Sequence, residues 1–213
     1  MDLQKFGEKV QKDLAHRKLE LSRLTVAIQT PFTDQSQKNL MCRATVVFTY
    51  AHWEGFVKSA SAFYIRHING QQIPVHKLRN CFQAAYVASH FKRAQNSSKI
   101  SFLDEVLTSI DADRKKTFSI SPDKYIDTES NLSSTVFKSL VTGLGLPYLG
   151  AYSTRQAFID EKLVYGRNQV AHGELTVFNE TDAAERLSSV RDLLDLYANQ
   201  LLDAARDKMY LAS

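Results

Sequence analysis

The stretch ATVVFTYAHWEGFVKSASAFYIRHI, residues 44–68, carries a high density of aromatic side chains for a chain of 213 residues. It contains no proline, so no strong helix breaker interrupts it. Large apolar side chains on all sides of a helix predict an element surrounded by protein. We therefore predict a long helix from about Gln37 to His67 at the centre of the core. Its aromatic residues are assigned to that core rather than to base stacking: Phe48, Tyr50, Trp53, Phe56, Phe63 and Tyr64.

Amphipathic periodicity predicts two further long helices, one before and one after this segment. In residues 2–29 the apolar residues recur every three, four or seven positions, as they do along one face of a helix. The last helix begins near Thr181 and shows similar spacing. The apolar residues on these two helices are Leu3, Phe6, Val10, Leu14, Leu21, Leu24 and Ile28, and then Leu187, Val190, Leu194, Tyr197 and Leu201.

The remaining segments predict shorter elements. We expect a third helix that starts at Pro74 and ends near Ala94, and another over about Ser153–Ala171. Between them lies an irregular insert around residues 95–150, with two short helices and a short extended piece near residues 115–127. The predicted fold class is all-α, a multi-helix bundle with long antiparallel helices.

Charge and composition limit the classes of function. Lys and Arg exceed Asp and Glu by four, which favours an anionic partner such as nucleic acid, although an inert basic surface fits equally well. Two cysteines without CxxC spacing predict neither a disulfide framework nor a zinc site, and no metal or cofactor is expected. The sequence shows no signal peptide and no membrane-spanning stretch, so we expect a cytoplasmic protein without a membrane partner.

The stretch EKLVYGRNQVAHGELT, residues 161–176, is the candidate site. At about 100° per residue, the apolar stripe of this helix leaves Asn168 and His172 side by side on the opposite face, with Arg167 on the flank. Gly173 then follows as a natural helix stop. Arg167 and His172 stand about 140° apart on an ideal helix, so they converge only through the long arginine or a distorted last turn. A solvated helix end without a function also fits these residue types.

The letters RNQVAH resemble the Arg-polar-x3-His motif of the HEPN superfamily, all-helical domains that include many prokaryotic toxin and defence ribonucleases. The central helix, ESNLSSTVFKSLVTGLGL and IDEKLVYGRNQVAHGE resemble a nuclease-like HEPN branch that is named after a cyanobacterium. The likeness covers most of residues 10–205 and implies one HEPN-like domain over residues 1–213. In some HEPN toxins the motif continues as His-x-Tyr, and a partner nucleotidyltransferase modifies the Tyr. Glu174 occupies that position here, which puts this form of regulation in doubt.

The resemblance implies a metal-independent endoribonuclease of toxin or antiviral-defence type that acts as a homodimer. His172 would transfer the proton or activate the 2′-OH, and Arg167 would hold the scissile phosphate. Asn168 would orient His172 or a phosphate oxygen. The partners implied are an RNA substrate, a second copy of the chain, and an antitoxin or defence-system protein. The alternative is a non-catalytic HEPN-like module that binds RNA or a nucleotide, or a helical interaction domain.

Supporting roles are assigned to residues outside the motif. Glu54 either reaches the motif helix and orients Arg167, or it pairs with Lys58 one turn later on its own helix. Two basic clusters either contact the RNA backbone or form solvated faces. These clusters are Lys92 with Arg93, and Arg114 with Lys115 and Lys116.

Overall fold

The computed structural model describes residues 1–32, 34–95 and 99–212, and within them it contains helices and no strand. The α-helices are α1 Leu3–Gln29, α2 Gln35–Gly70, α3 Asn80–Ala94, α4 Ile100–Arg114, α5 Pro122–Tyr125, α6 Ser134–Gly143, α7 Gly150–Ser153, α8 Gly166–Ala171 and α9 Glu180–Arg206. A 3-10 turn spans Val75–Lys77, and a π-helix spans Phe158–Tyr165 and runs directly into α8. The predicted all-α fold class is confirmed. Of the insert around residues 95–150, residues 96–98 lie outside the described part.

The three longest helices, α1, α2 and α9, pack against one another and enclose the core. Trp53 on α2 is fully buried, and its ring lies edge-on to Phe137 of α6 at 4.9 Å between centroids. A hydrogen bond of 2.6 Å between the hydroxyl groups of Ser61 and Tyr197 joins α2 to α9 inside this core. The position of α2 at the centre of the bundle therefore agrees with the sequence prediction. The assignment of Phe48 to the core is wrong, because its side chain lies on the outer face of α2 and is 53% exposed.

Side-chain caps define where the long helices begin. The Asp2 carboxylate accepts a hydrogen bond from the Lys5 amide at 2.7 Å, and Asn179 accepts one from the Asp182 amide at 2.8 Å. Such caps satisfy amide groups that have no partner within the helix. The predicted apolar stripe of α1 is buried at Phe6, Val10, Leu14, Leu21 and Ile28. Leu3, the first residue of α1, is 44% exposed instead.

The predicted helix start at Pro74 is wrong, because the backbone around Pro74 pairs with a distant segment. The Val75 amide donates to the Lys116 carbonyl at 2.9 Å, and the Phe118 amide donates to the Ile73 carbonyl at 2.8 Å. These bonds form an isolated antiparallel bridge between Pro74 and Thr117. The bridge provides the short extended piece expected within residues 115–127, and α3 begins only at Asn80.

The continuous helix expected over Ser153–Ala171 is also wrong. Helix α7 ends at Ser153, a turn follows at residues 154–155, and the chain then becomes π-helical before α8. In a π-helix the amide of residue i+5 bonds to the carbonyl of residue i, so the turn is wider than an α-turn. The candidate motif therefore follows a distorted segment rather than a regular helix.

Candidate functional site

The short helix α8 packs on α2 and carries Arg167 to the ring of Tyr50. The guanidinium carbon lies 4.5 Å from the centre of that ring, within the range of a cation–π contact. One terminal nitrogen of Arg167 also donates to the carbonyl oxygen of Ser130 at 3.3 Å. Two neighbouring segments therefore hold the half-buried Arg167 side chain in one position.

A loop over residues 127–132 forms one wall of the site. The Leu132 amide donates to the Tyr50 hydroxyl at 2.8 Å. Burial raises the pKa of Tyr50, so the phenol keeps its proton while its oxygen accepts this bond. The loop is attached at its far end by Asp160, whose carboxylate accepts hydrogen bonds from the Ser134 amide at 2.7 Å and the Ser134 hydroxyl at 2.6 Å.

Glu54 lies one helical turn after Tyr50 on α2 and contacts the same loop. Its carboxylate accepts a hydrogen bond from the Thr128 hydroxyl at 3.1 Å. In the described part of the chain, Glu54 forms an ion pair with neither Arg167 nor Lys58. The structure therefore places Glu54 near the site, where it acts on the loop that holds Arg167.

His172 ends the motif helix at the protein surface. The amide of Gly173 donates to the Val170 carbonyl at 3.1 Å, and the amide of Glu174 donates to the Gln169 carbonyl at 2.9 Å. These two bonds, with Gly173 at φ +75°, form a Schellman motif. The predicted helix stop at Gly173 is confirmed, and the imidazole of His172 is exposed to solvent.

Arg167 and His172 occupy different environments within one chain. Arg167 is held against α2 and the loop, whereas the His172 imidazole has no hydrogen-bond partner among the described residues. Asn168 is half-buried, and within that same part of the chain its side chain makes no hydrogen bond to His172. The motif side chains therefore lie on one short helix without bonding to one another.

The segment after His172 is fixed by two residues that the sequence analysis missed. One terminal nitrogen of Arg43 on α2 donates to the carbonyl oxygens of Glu174, at 2.6 Å, and Thr176, at 2.9 Å. The side-chain amide of Gln169 donates to the Glu174 carboxylate at 3.1 Å and to the Thr176 hydroxyl at 3.0 Å. No local spacing signals the Arg43 contact, because it joins residues 131 positions apart.

An apolar surface borders this fixed segment. Leu175 is 95% exposed, and Val177 and Leu40 are each 68% exposed. Together with Arg43 they line a shallow depression beside the motif. We call Leu40, Leu175 and Val177 the motif-side patch. Contiguous exposed apolar residues of this kind often mark a contact surface.

The two basic clusters lie at opposite ends of the hairpin formed by α3 and α4. Arg114 donates to the Gln83 side chain at 3.1 Å, near the start of α3. Lys92 lies nine residues further along α3, which corresponds to about 14 Å of helix rise. The clusters are therefore not one basic surface. Lys116 is engaged in an ion pair with Asp113 at 2.7 Å, while Arg93 and Lys115 are exposed.

Two properties of the described residues bear on partners. They contain no group of three or more His, Cys, Asp or Glu side chains arranged to hold a metal ion. Across the same ranges, no helix combines the length and the apolar character needed to cross a membrane.

Comparison with known proteins places the chain in a family. The family described as RiboL-PSP-HEPN matches residues 12–203, which is most of the chain. Neither a curated protein nor a solved structure matches the chain significantly. The family match confirms the HEPN assignment that RNQVAH and the central helix indicated. The chain belongs to the RiboL-PSP-HEPN family, within the all-helical HEPN superfamily.

Proposed function

We propose that this protein is a metal-independent endoribonuclease of toxin or antiviral-defence type, acting in the cytoplasm. Family membership supports a role connected with RNA or nuclease activity in general. The proposal of an endoribonuclease rests on how the side chains of the motif are held. Arg167 is held in place by Tyr50 and Ser130, while the His172 imidazole is exposed on a capped helix end and has no bond within the described residues.

The reaction we propose is an internal transesterification. The 2′-oxygen of a ribose attacks the adjacent phosphorus, and the bond from phosphorus to the 5′-oxygen breaks. The 2′-OH gives its proton to a base, and the leaving 5′-oxygen receives a proton from an acid. The products are a 2′,3′-cyclic phosphate and a 5′-OH. Negative charge grows on the phosphate oxygens, so a fixed cation beside them lowers the barrier.

The residues of the motif match these requirements. His172 acts in proton transfer, because an exposed imidazole can reach an RNA bound at the surface. Arg167 stabilises the scissile phosphate, since a guanidinium donates several hydrogen bonds in a fixed plane. Asn168 donates to a phosphate oxygen, and Glu54 acts indirectly by holding the loop that contacts Arg167.

The proposal places the site between two copies of the chain. One protomer supplies one motif imidazole, whereas the reaction uses a base and an acid. HEPN domains commonly bind RNA and dimerise. The motif-side patch supports such an arrangement, because it leaves large apolar side chains uncovered next to His172. We propose the two basic clusters as contacts for the flanking RNA backbone, and an antitoxin or defence-system protein as a further partner.

Expression of the wild-type protein and of His172→Ala, which lacks the motif imidazole, tests the catalytic proposal. We expect the wild-type protein to inhibit growth and to generate RNA 5′-OH ends, and His172→Ala to do neither. EDTA should leave cleavage by the purified protein intact, since imidazole and guanidinium need no metal. Cleavage that stops in EDTA and returns with magnesium would contradict the proposed chemistry. Binding of RNA without new 5′-OH ends would support the alternative, a non-catalytic RNA- or nucleotide-binding HEPN module.

A further inference from the structure

Arg186 on α9 contacts the π-helix that precedes the motif. This side chain is 4% exposed, and one of its terminal nitrogens donates to the backbone carbonyl of Lys162. The other terminal nitrogen and Nε both bind the Asp182 carboxylate, at 2.8 Å and 3.1 Å. A buried guanidinium therefore reaches the middle of the distorted segment and bonds to its backbone.

Asp182 balances the charge of this contact. Its second carboxylate oxygen accepts a hydrogen bond from the Lys162 ammonium group at 2.8 Å. Burial tends to raise the pKa of Asp182, but the hydrogen bonds from Lys162 and Arg186 outweigh burial and lower it. The three side chains form a closed network, and the π-helix is linked to α9 through both the backbone and the side chain of Lys162.

Gly166, the first residue of α8, provides the space for this network. A Cβ atom at Gly166 would lie 3.1 Å from the terminal nitrogen of Arg186 and 3.4 Å from a methyl group of Val46. Both distances are at or below ordinary van der Waals contact. The guanidinium is thus packed against the backbone immediately before Arg167, where a Cβ atom would push it by a few tenths of an ångström.

We propose that Arg186 is a positioning residue for Arg167. By bonding to the Lys162 carbonyl, it keeps the preceding turn π-helical, because a side chain that inserts into a helix ladder displaces the regular hydrogen bonds. If that turn tightened into α-helix, the residues after it would rotate by about one position, or roughly 100°. Arg167 would then leave the Tyr50 ring. The catalytic consequence rests on the proposed function, whereas the positioning itself does not.

Nuclear magnetic resonance of Arg167 tests the positioning directly. Its guanidinium lies over the Tyr50 ring. The ring current of Tyr50 should therefore move the chemical shifts of the Arg167 side-chain protons away from those of a free arginine. The signals of Arg167 are assigned by their absence from the spectrum of Arg167→Lys. In Arg186→Met, which keeps apolar bulk but loses the donors, we expect the signals to move to free-arginine values. Arg191→Met is the matched control, because Arg191 lies on the same helix and binds Ser22 and Thr25 of α1.

Gly166→Ala provides a second variant if Arg186→Met does not fold. Its added methyl group should push the Arg186 guanidinium by a few tenths of an ångström and shift the same Arg167 signals, by less than Arg186→Met does. When Gly166→Ala is added to Arg186→Met, it should move the Arg167 signals less than it does in the wild-type background, because both changes act on one contact. Wild-type Arg167 signals in a folded Arg186→Met or in Gly166→Ala would overturn the proposal, and so would additive effects in the double variant.

RNA cleavage separates this inference from the proposed function. If both hold, kcat of Arg186→Met should fall by about a hundredfold, since small displacements of a catalytic group reduce rates by that order. Arg191→Met should cleave at the wild-type rate. A wild-type protein that never cleaves RNA would refute the proposed function, while the Arg167 signals would still decide whether Arg186 positions Arg167. Shifted signals with a full cleavage rate would overturn the claim that this positioning matters for catalysis.

Discussion

At the scale of single residues, Arg167 and His172 lie in opposite environments: Arg167 is half-buried against Tyr50, and the His172 imidazole is exposed to solvent. The spacing of the motif correctly placed His172 on an exposed helix end before Gly173. It could not reveal that Arg167 stacks on Tyr50, because that contact joins residues more than a hundred positions apart. Because of this contact and the hydrogen bond to Ser130, removal of the Arg167 side chain is not neutral for folding.

Replacing His172 by alanine should lower the rate of RNA cleavage without lowering the stability of the fold. For His172→Ala we expect a melting temperature close to wild type, because the imidazole is exposed and surface changes cost about 0.5 kcal/mol or less. Cleavage should fall by a factor of about 10² to 10⁴. The measurements are thermal melting and an RNA-cleavage assay on the same preparation. A wild-type cleavage rate, or a melt many degrees lower, would show that this residue only ends a helix.

Arg167→Ala should abolish cleavage and also lower stability. The lost cation–π contact is worth about 0.5–1 kcal/mol and the lost hydrogen bond a similar amount. For a chain of this size that corresponds to a melting temperature lower by roughly 2–8 °C. Tyr50→Phe is a suitable comparison, because it keeps the ring but removes the hydroxyl that Leu132 contacts. A stable Arg167→Ala variant would argue against the cation–π contact.

At the scale of helices, regular periodicity was predictable and distortion was not. Helices α1 and α9 follow the periodic spacing of their apolar residues, and α2 follows its density of aromatic residues; both signals are visible in the sequence. The π-helix before α8 cannot be recovered in this way. It coincides with a contact from Arg186, which lies 24 residues beyond Lys162 and looks like an ordinary charged residue of an amphipathic helix.

Gly173 should be required for the end of the motif helix. Its φ of +75° is costly for any residue with a Cβ atom, so Gly173→Ala should lose about 1 kcal/mol. Amide exchange at Gly173 and Glu174 should accelerate as the last turn frays. Gly150→Ala is the matched control, since a Cβ there meets nothing within 4 Å and its φ is not positive. Equal melting temperatures for the two variants would contradict this account.

At the scale of the whole molecule, the sequence predicted an all-α bundle, and the structure has that architecture. The assembly of two copies remains a prediction. Light scattering at micromolar concentration should give twice the chain mass of 24.1 kDa. Leu175→Glu should shift the protein toward monomers, because it places a charge in the motif-side patch. Leu107→Glu, at an exposed position of α4, should not. A monomeric, fully active wild type would rule out the composite site.

The stability of the whole bundle should fall as the pH drops below about 6.5, the ordinary pKa of histidine. Burial lowers the pKa of His67 and of His52, so the folded state binds fewer protons than the unfolded state. Stability is then complete above the unfolded pKa and decreases as the pH falls toward the folded values. Chemical unfolding at pH 7.5 and pH 5.5 measures this difference. His67→Phe, inside an aromatic cluster with Phe6 and Tyr210, should reduce it.

The stacking of Arg167 on Tyr50 has a consequence for how a phosphate can approach. The Tyr50 ring covers one side of the guanidinium, so a substrate approaches the donor-bearing edge that the ring leaves free. A mobile arginine loses up to about 2 kcal/mol of rotamer entropy when it is immobilised. Here folding has already imposed much of that loss, so under the proposed function an RNA phosphate would meet a cation that no longer has to be ordered. Arg167→Lys keeps the charge but not this edge, so it should bind phosphate less selectively than the native residue.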